Sequence, residues 1–241
     1  MLVTGEPQFL TQDDERTTHT GDGIAPIEQW NSTSAMLTSG LQLSGYLGAK
    51  SPVRLGPETA NIYQHLRSLL SSDGASTSLT NNEIHDLTCF AIHRLLSEPP
   101  VREADTPESS AVSEIVRYGL AIYMFILHGH AYYSHAEILY SLVMRLHEYL
   151  EQCETAGCSL QDGCLTVWIL SMGLMAAAAT PEWNWFAQRA AAHHAVALLS
   201  WADIVKSLRL VLWHTSSYHE QTLKLVWEQA LAVMELSLRP S

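Results

Sequence analysis

The sequence predicts an all-α protein: a helical bundle of stacked antiparallel helix pairs, about eight helices in all, behind a flexible N-terminal leader. Three observations predict it. Helix start signals recur along the chain, apolar residues return every third or fourth position after each one, and no run alternates apolar and polar residues as a half-buried strand would.

Residues 1–33 are polar and acidic without periodicity, which predicts the leader. Met36–Leu47 is apolar enough for a short helix, although Gly40, Gly45 and Gly48 weaken it. From Pro57 onward each segment carries helical spacing. Ile62, Leu66, Leu69 and Leu70 form a first stripe. Thr80-Asn81-Asn82-Glu83 has the form of a capping box, in which the first side chain and the fourth satisfy each other's backbone N–H groups. It opens a stripe of Ile84, Leu87, Ala91 and Leu95. The loop Glu98–Ser110, with Pro99, Pro100 and Pro107, separates this smaller helical pair from the main body. It is not a domain boundary, because two helices bury too little apolar surface to stand alone.

Thr106-Pro107-Glu108 and Thr180-Pro181-Glu182 each place proline at a first helical position, where its missing N–H costs nothing. Ser113–Leu127 is apolar nearly all round and reads as a central helix. Ser200 and Asp203 repeat the capping box ahead of Trp201, Ile204, Val205, Leu208 and Leu212. Ser217-Tyr218-His219-Glu220 does so ahead of Leu223, Val226, Trp227, Ala230 and Met234. Residues 34–241 are therefore expected to form one domain.

Of the 241 residues 47% are hydrophobic, enough for a substantial core, and only 16% are charged. The net charge is −12, from 13 basic and 25 acidic residues, and no Lys/Arg stripe is present to displace counterions from a duplex. Direct nucleic-acid binding is thus not expected. The N-terminus lacks the basic and apolar regions of a signal peptide, so the Asn31-Ser32-Thr33 sequon is read as incidental. The apolar runs around Leu120–Leu127 and Leu165–Ala179 fall short of the roughly 20 residues of a membrane span. A soluble, intracellular protein is expected. The four cysteines, Cys89, Cys153, Cys158 and Cys164, contain no CxxC pair and read as ordinary reduced thiols.

Twelve histidines invite metal and acid–base readings. His85, Cys89 and His93 share one helix at ligand-like spacing, but they lie off the apolar stripe as a polar face. His128-Gly129-His130 and His135, with Tyr132 and Tyr133, fall between two helices, where His128 meets the negative end of a helix dipole. His147-Glu148 with Glu151 lacks the second histidine of a zinc-binding helix and reads as a solvated face. No cofactor or metal is therefore expected. There is also no nucleophile elbow, P-loop or dinucleotide fingerprint.

Trp168, Trp201, Trp213 and Trp227 lie on or beside apolar stripes, as core residues do. Trp183, Asn184, Trp185 and Phe186 follow the Pro181 turn in succession and cannot all face one core. They predict a ligand or partner groove shared with His193 and Trp213, with His194 nearby.

Trp168 in its apolar helix, the Pro181–Phe186 turn, Ser200-Trp201, the Leu208/Leu212/Trp213 stripe and the final Trp227-Glu228 appear in that order between Leu165 and Ala230. This region resembles the C-terminal end of the fungal-specific transcription factor domain, the helical regulatory region of zinc-cluster regulators. The zinc-cluster head has no counterpart, since the six thiolates it needs, two of them bridging, outnumber the four cysteines present. The resemblance implies a regulatory module without its DNA-reading head, acting through a protein partner, self-association or a small-molecule effector. It implies a nuclear location, otherwise cytoplasmic, although no basic import cluster is present. The alternative is a small-molecule-binding protein or cofactor-free enzyme on the same scaffold, using His128, His130, Tyr133, His194 and His214. An enzyme predicts a closed pocket with convergent polar groups, and a regulatory module an exposed groove or dimer face.

Overall fold

The computed structural model describes residues 55–70, 80–99, 107–128, 136–157, 160, 163–192, 199–214 and 217–237. The leader and the Met36–Leu47 segment lie outside them. Eight helices occupy the described residues: α1 Pro57–Leu70, α2 Asn81–Ser97, α3 Pro107–His128, α4 Ala136–Thr155, α5 Gly163–Ala176, α6 Glu182–Ala192, α7 Trp201–Val211 and α8 Ser217–Ser237. Helix accounts for 87% of them and no strand occurs among them, so the all-α expectation holds.

Two helices organise the packing. The apolar α3 touches α1, α2, α4 and α5, while α5 touches α3, α4, α6, α7 and α8. Residues Leu165–Leu174 of α5 are buried on every side, as a helix without a polar face must be. Close approach is possible at two glycines. A Cβ on Gly119 of α3 would lie 2.7 Å from Ile169 Cδ1 and 2.8 Å from Trp168 Cζ3. A Cβ on Gly173 of α5 would clash with the edge of the Phe186 ring.

Start signals at Thr80 and Ser200 form complete capping boxes, with Thr80 N 2.7 Å from Glu83 Oε2 and Ser200 Oγ 2.6 Å from Asp203 Oδ2. These bonds hold the Glu83 and Asp203 carboxyls below their ordinary values. Pro57 and Pro107 are first residues of their helices. Pro181 instead sits one residue ahead of α6, and α8 already includes Ser217, so neither signal marks its helix at the expected position.

Helix ends are closed by side chains from distant helices. Glu98, just past α2, accepts from the backbone N–H groups of Glu58 and Thr59, each at 3.0 Å, at the positive end of α1. Arg117 of α3 donates to the carbonyls of Leu95, at 3.3 Å, and Glu98, closing the other end of α2. The same guanidinium pairs with Glu114, and both groups are buried. Such a pair depends on every charge having a partner.

Two expectations are corrected. By length and composition Ser110–His128 does reach the size of a membrane span, yet 72% of that window is buried inside the protein, as in a core helix. Cys153 is disulfide-bonded rather than reduced; it sits buried in the last turn of α4, shortly before Gly157 turns the chain with a φ of 72°. Cys89 and Cys164 are in no disulfide.

Candidate functional site

The C-terminal end of α7 is where a groove forms, because the helix is stopped from inside the core. Its last carbonyls have no intrahelical donors. Tyr63 Oη of α1 donates to Val211 O at 3.1 Å, Arg67 donates to Val211 O at 2.9 Å and to Leu210 O, and Trp168 Nε1 of α5 donates to Leu212 O at 2.7 Å. Leu212 is extended, with φ −163° and ψ 111°, and this throws Trp213 inward. Tyr123 of α3 lies between Trp168 and Trp213, its ring 6.2 Å from each, and its hydroxyl accepts the His214 N–H at 3.0 Å. Burial raises the Tyr123 hydroxyl far above its ordinary value, partly offset by that N–H, so it stays protonated.

Beside this junction α1 and α7 leave a half-open groove of about 660 Å³. Trp201, Leu210 and Trp213 supply apolar wall, Arg67, Lys206 and Arg209 supply positive charge, and Glu220 is the one carboxylate among the described lining residues. Arg209 and Glu220 are separated by 3.8 Å, a loose surface pair. Leu210 is 44% exposed, one of the largest exposed apolar side chains among the described residues. The indole N–H of Trp213 is buried without an acceptor among the described residues. The groove thus combines apolar wall and positive charge in an acidic chain.

Of the residues expected to form a groove, Trp213 lines this one and His193 lies outside the described residues, as do His194, His130 and Tyr133. Trp183, Trp185 and Phe186 are elsewhere, and they belong to the first turns of α6 rather than to a loop. Phe186 is fully buried, Trp183 packs partly buried on the core, and Trp185 lies 4.0 Å from the His147 ring with Arg189 4.3 Å above it. His147 is consequently a half-buried contact residue, 3.2 Å from Glu151, while Glu148 and Glu151 do lie on a solvated face.

His214 is exposed, and burial, then the neighbouring His214, holds His219 below its ordinary value. His128 ends α3 and meets α2, with its Nε2 3.0 Å from His85 Nδ1; His85 Nε2 in turn lies 3.8 Å from Cys89 Sγ. Two motifs separate in sequence therefore meet in space. Among the described residues no group of three or more His, Cys, Asp or Glu is placed to hold a metal ion.

Sequence reasoning missed Arg67, Lys206, Arg209 and Leu210. A weak signal existed: Lys206 and Arg209 lie three apart, one helical turn, in a chain with only 13 basic residues. Nothing local linked them to Arg67. Compared with family models, curated proteins and solved structures, the chain matches none.

Proposed function

We propose that this chain is a regulatory binding module that seats an acidic, apolar segment of a protein partner in the α1–α7 groove. The carrying observation is the clustering of Arg67, Lys206 and Arg209 around Trp201, Leu210 and Trp213 in a chain of net charge −12. Three cations gathered along one groove, with one carboxylate among its described lining residues, favour a negatively charged partner, and charge complementarity of this kind speeds encounter and fixes register. The apolar wall takes its bulky side chains. A groove open along one side suits a segment of chain better than it suits sequestered catalysis. The resemblance of Leu165–Ala230 to the regulatory domain of zinc-cluster factors supports the same reading. It also supplies the nuclear setting, in which this module works without touching DNA.

Fluorescence anisotropy with a labelled peptide of alternating acidic and bulky apolar residues tests the proposal. Binding is expected, weakening as salt rises. The Lys206→Glu/Arg209→Glu variant is expected to weaken it by about tenfold or more, equivalent to about 1.4 kcal/mol. Equal binding by the wild type and the reversed variant, or equal binding of an uncharged peptide of the same apolar pattern, would overturn it.

A small-molecule effector is the second reading, favoured by the groove's volume of about 660 Å³, within the range of ligand pockets. A carboxylate-bearing apolar compound that competes with the peptide would select it.

A further inference from the structure

Cys89, His85 and His128 form a chain of one thiol and two imidazoles where α2 meets the end of α3. His85 and Cys89 lie four residues apart on α2, so they share a face one turn apart. All three are partly buried: shielded, yet within reach of a small molecule. Cys89 is in no disulfide and carries a thiol. The imidazole of His85 bridges the other two, with Nδ1 3.0 Å from His128 Nε2 and Nε2 3.8 Å from Cys89 Sγ.

A hydrogen bond between two neutral imidazoles has one donor. When Nδ1 of His85 donates to His128, its Nε2 presents a lone pair to the thiol, since one bond sets the tautomer of the whole ring. Nucleophile, base and orienting group then stand in sequence. After proton transfer His85 donates from both nitrogens, to His128 and to the thiolate. The positive charge then sits near the C-terminal end of α3, where the helix dipole favours a cation.

We propose that Cys89 is a reactive thiol for soft electrophiles, compounds carrying a double bond conjugated to a carbonyl. His85 is its base and His128 a positioning residue. The thiol proton passes to Nε2 of His85 while sulfur forms a C–S bond at the β-carbon. The C=C π bond breaks, its electron pair is held as an enolate, and the α-carbon takes the proton back from His85. The product is a thioether, nothing is oxidised or reduced, and no co-reactant is consumed. An imidazole that takes one proton and returns it matches addition, in which the sulfur keeps its adduct and the base is restored.

N-Ethylmaleimide on the full chain at neutral pH provides the test, with peptide mapping by mass spectrometry following Cys89 and Cys164 over time. Cys164, also outside any disulfide, is the reference within the same molecule. Cys89 is expected to react about tenfold faster or more, with the His85→Ala variant losing most of that advantage while Cys164 is unchanged. Imidazole added to the buffer is expected to restore part of the His85→Ala rate, a rescue that a purely structural role would not show. His128→Gln, which leaves the base in place, is expected to slow Cys89 by a few-fold. Circular dichroism checks each fold, and His85→Gln replaces the alanine variant if helicity falls. Cys89 reacting no faster than Cys164, or a His85 variant that alkylates at the wild-type rate, would overturn the proposal.

Discussion

The indole N–H of Trp168 donates to the carbonyl of Leu212 at 2.7 Å, across 44 positions of sequence and entirely inside the core. Both residues are buried, so without that donor the carbonyl has no access to water. Trp168→Phe keeps a ring in place but strands the acceptor, and is expected to destabilise by about 1–3 kcal/mol. Trp227→Phe is the matched control. Trp227 donates to Ser171 Oγ at 2.9 Å, but that hydroxyl keeps its own bond to Val167 O at 2.7 Å, so the smaller loss is expected there. Urea unfolding of the two variants side by side decides the ranking.

Glu98 closes α1 from the end of α2. Its Oε2 accepts from Thr59 N at 3.0 Å and Thr59 Oγ1 at 2.5 Å, and Oε1 accepts from Glu58 N. Glu98→Gln turns an amide donor toward N–H donors and removes the charge facing the helix dipole. A loss of about 1–2 kcal/mol is expected. Hydrogen exchange should show it first in the amides of α1. Unchanged protection there would refute the capping role.

Gly173 and Gly163, both on α5, are expected to respond oppositely to alanine. At Gly173 the new methyl group meets the Phe186 ring, and forcing it in costs about 1–3 kcal/mol or more. Gly163 has nothing within 4 Å of the added atom, and its alanine variant is expected within about 0.5 kcal/mol of wild type. Thermal melts of both variants are sufficient. Equal melting temperatures would mean that α6 does not pack as described.

Three histidines make stability pH-dependent in one direction. Burial holds His65, His93 and His219 below the ordinary 6.5. For His65 the bond between Nδ1 and the Asn61 carbonyl pulls the other way, while Arg94 and His214 add to the effect at His93 and His219. The unfolded chain takes up protons as pH falls through about 6.5 while the folded chain resists, so stability rises with pH across that window. It is full above about 6.5, declines toward the depressed folded values, and levels off below them. Urea midpoints measured between about pH 7.5 and 5.5 should therefore fall on acidification, and His65→Gln should shallow the slope. A midpoint that holds or rises would sink the argument. The capped carboxylates of Glu83 and Asp203 act only at lower pH.

What could be read from sequence was local. Thr80 with Glu83 and Ser200 with Asp203 are three residues apart, and their bonds need no other part of the chain. The central helix was legible because an apolar surface on all sides has only one stable location. Of the groove, only Trp213 was legible. Its cationic wall joins Arg67 to carbonyls 143 and 144 positions away, a distance no periodicity encodes. At Trp183–Phe186 the four side chains indeed do not share one core face, because a helix spreads them round its circumference, but they lie apart from the α1–α7 groove and Gly173 makes room for Phe186. The meeting of His85 and His128 is likewise a packing result, set by how α2 lies on α3.

Closing α7 with Tyr63, Arg67 and Trp168 also ties the groove to the state of the whole chain. Its floor exists only when α1, α3 and α5 have assembled around α7, so a fragment holding α7 alone would carry the residues without the surface. Occupancy and folding are then linked quantities: a ligand held at 100 times its dissociation constant adds about 2.7 kcal/mol to the stability of the entire assembly. A partner would in effect recognise chains that have finished folding, and protect them in proportion to its abundance.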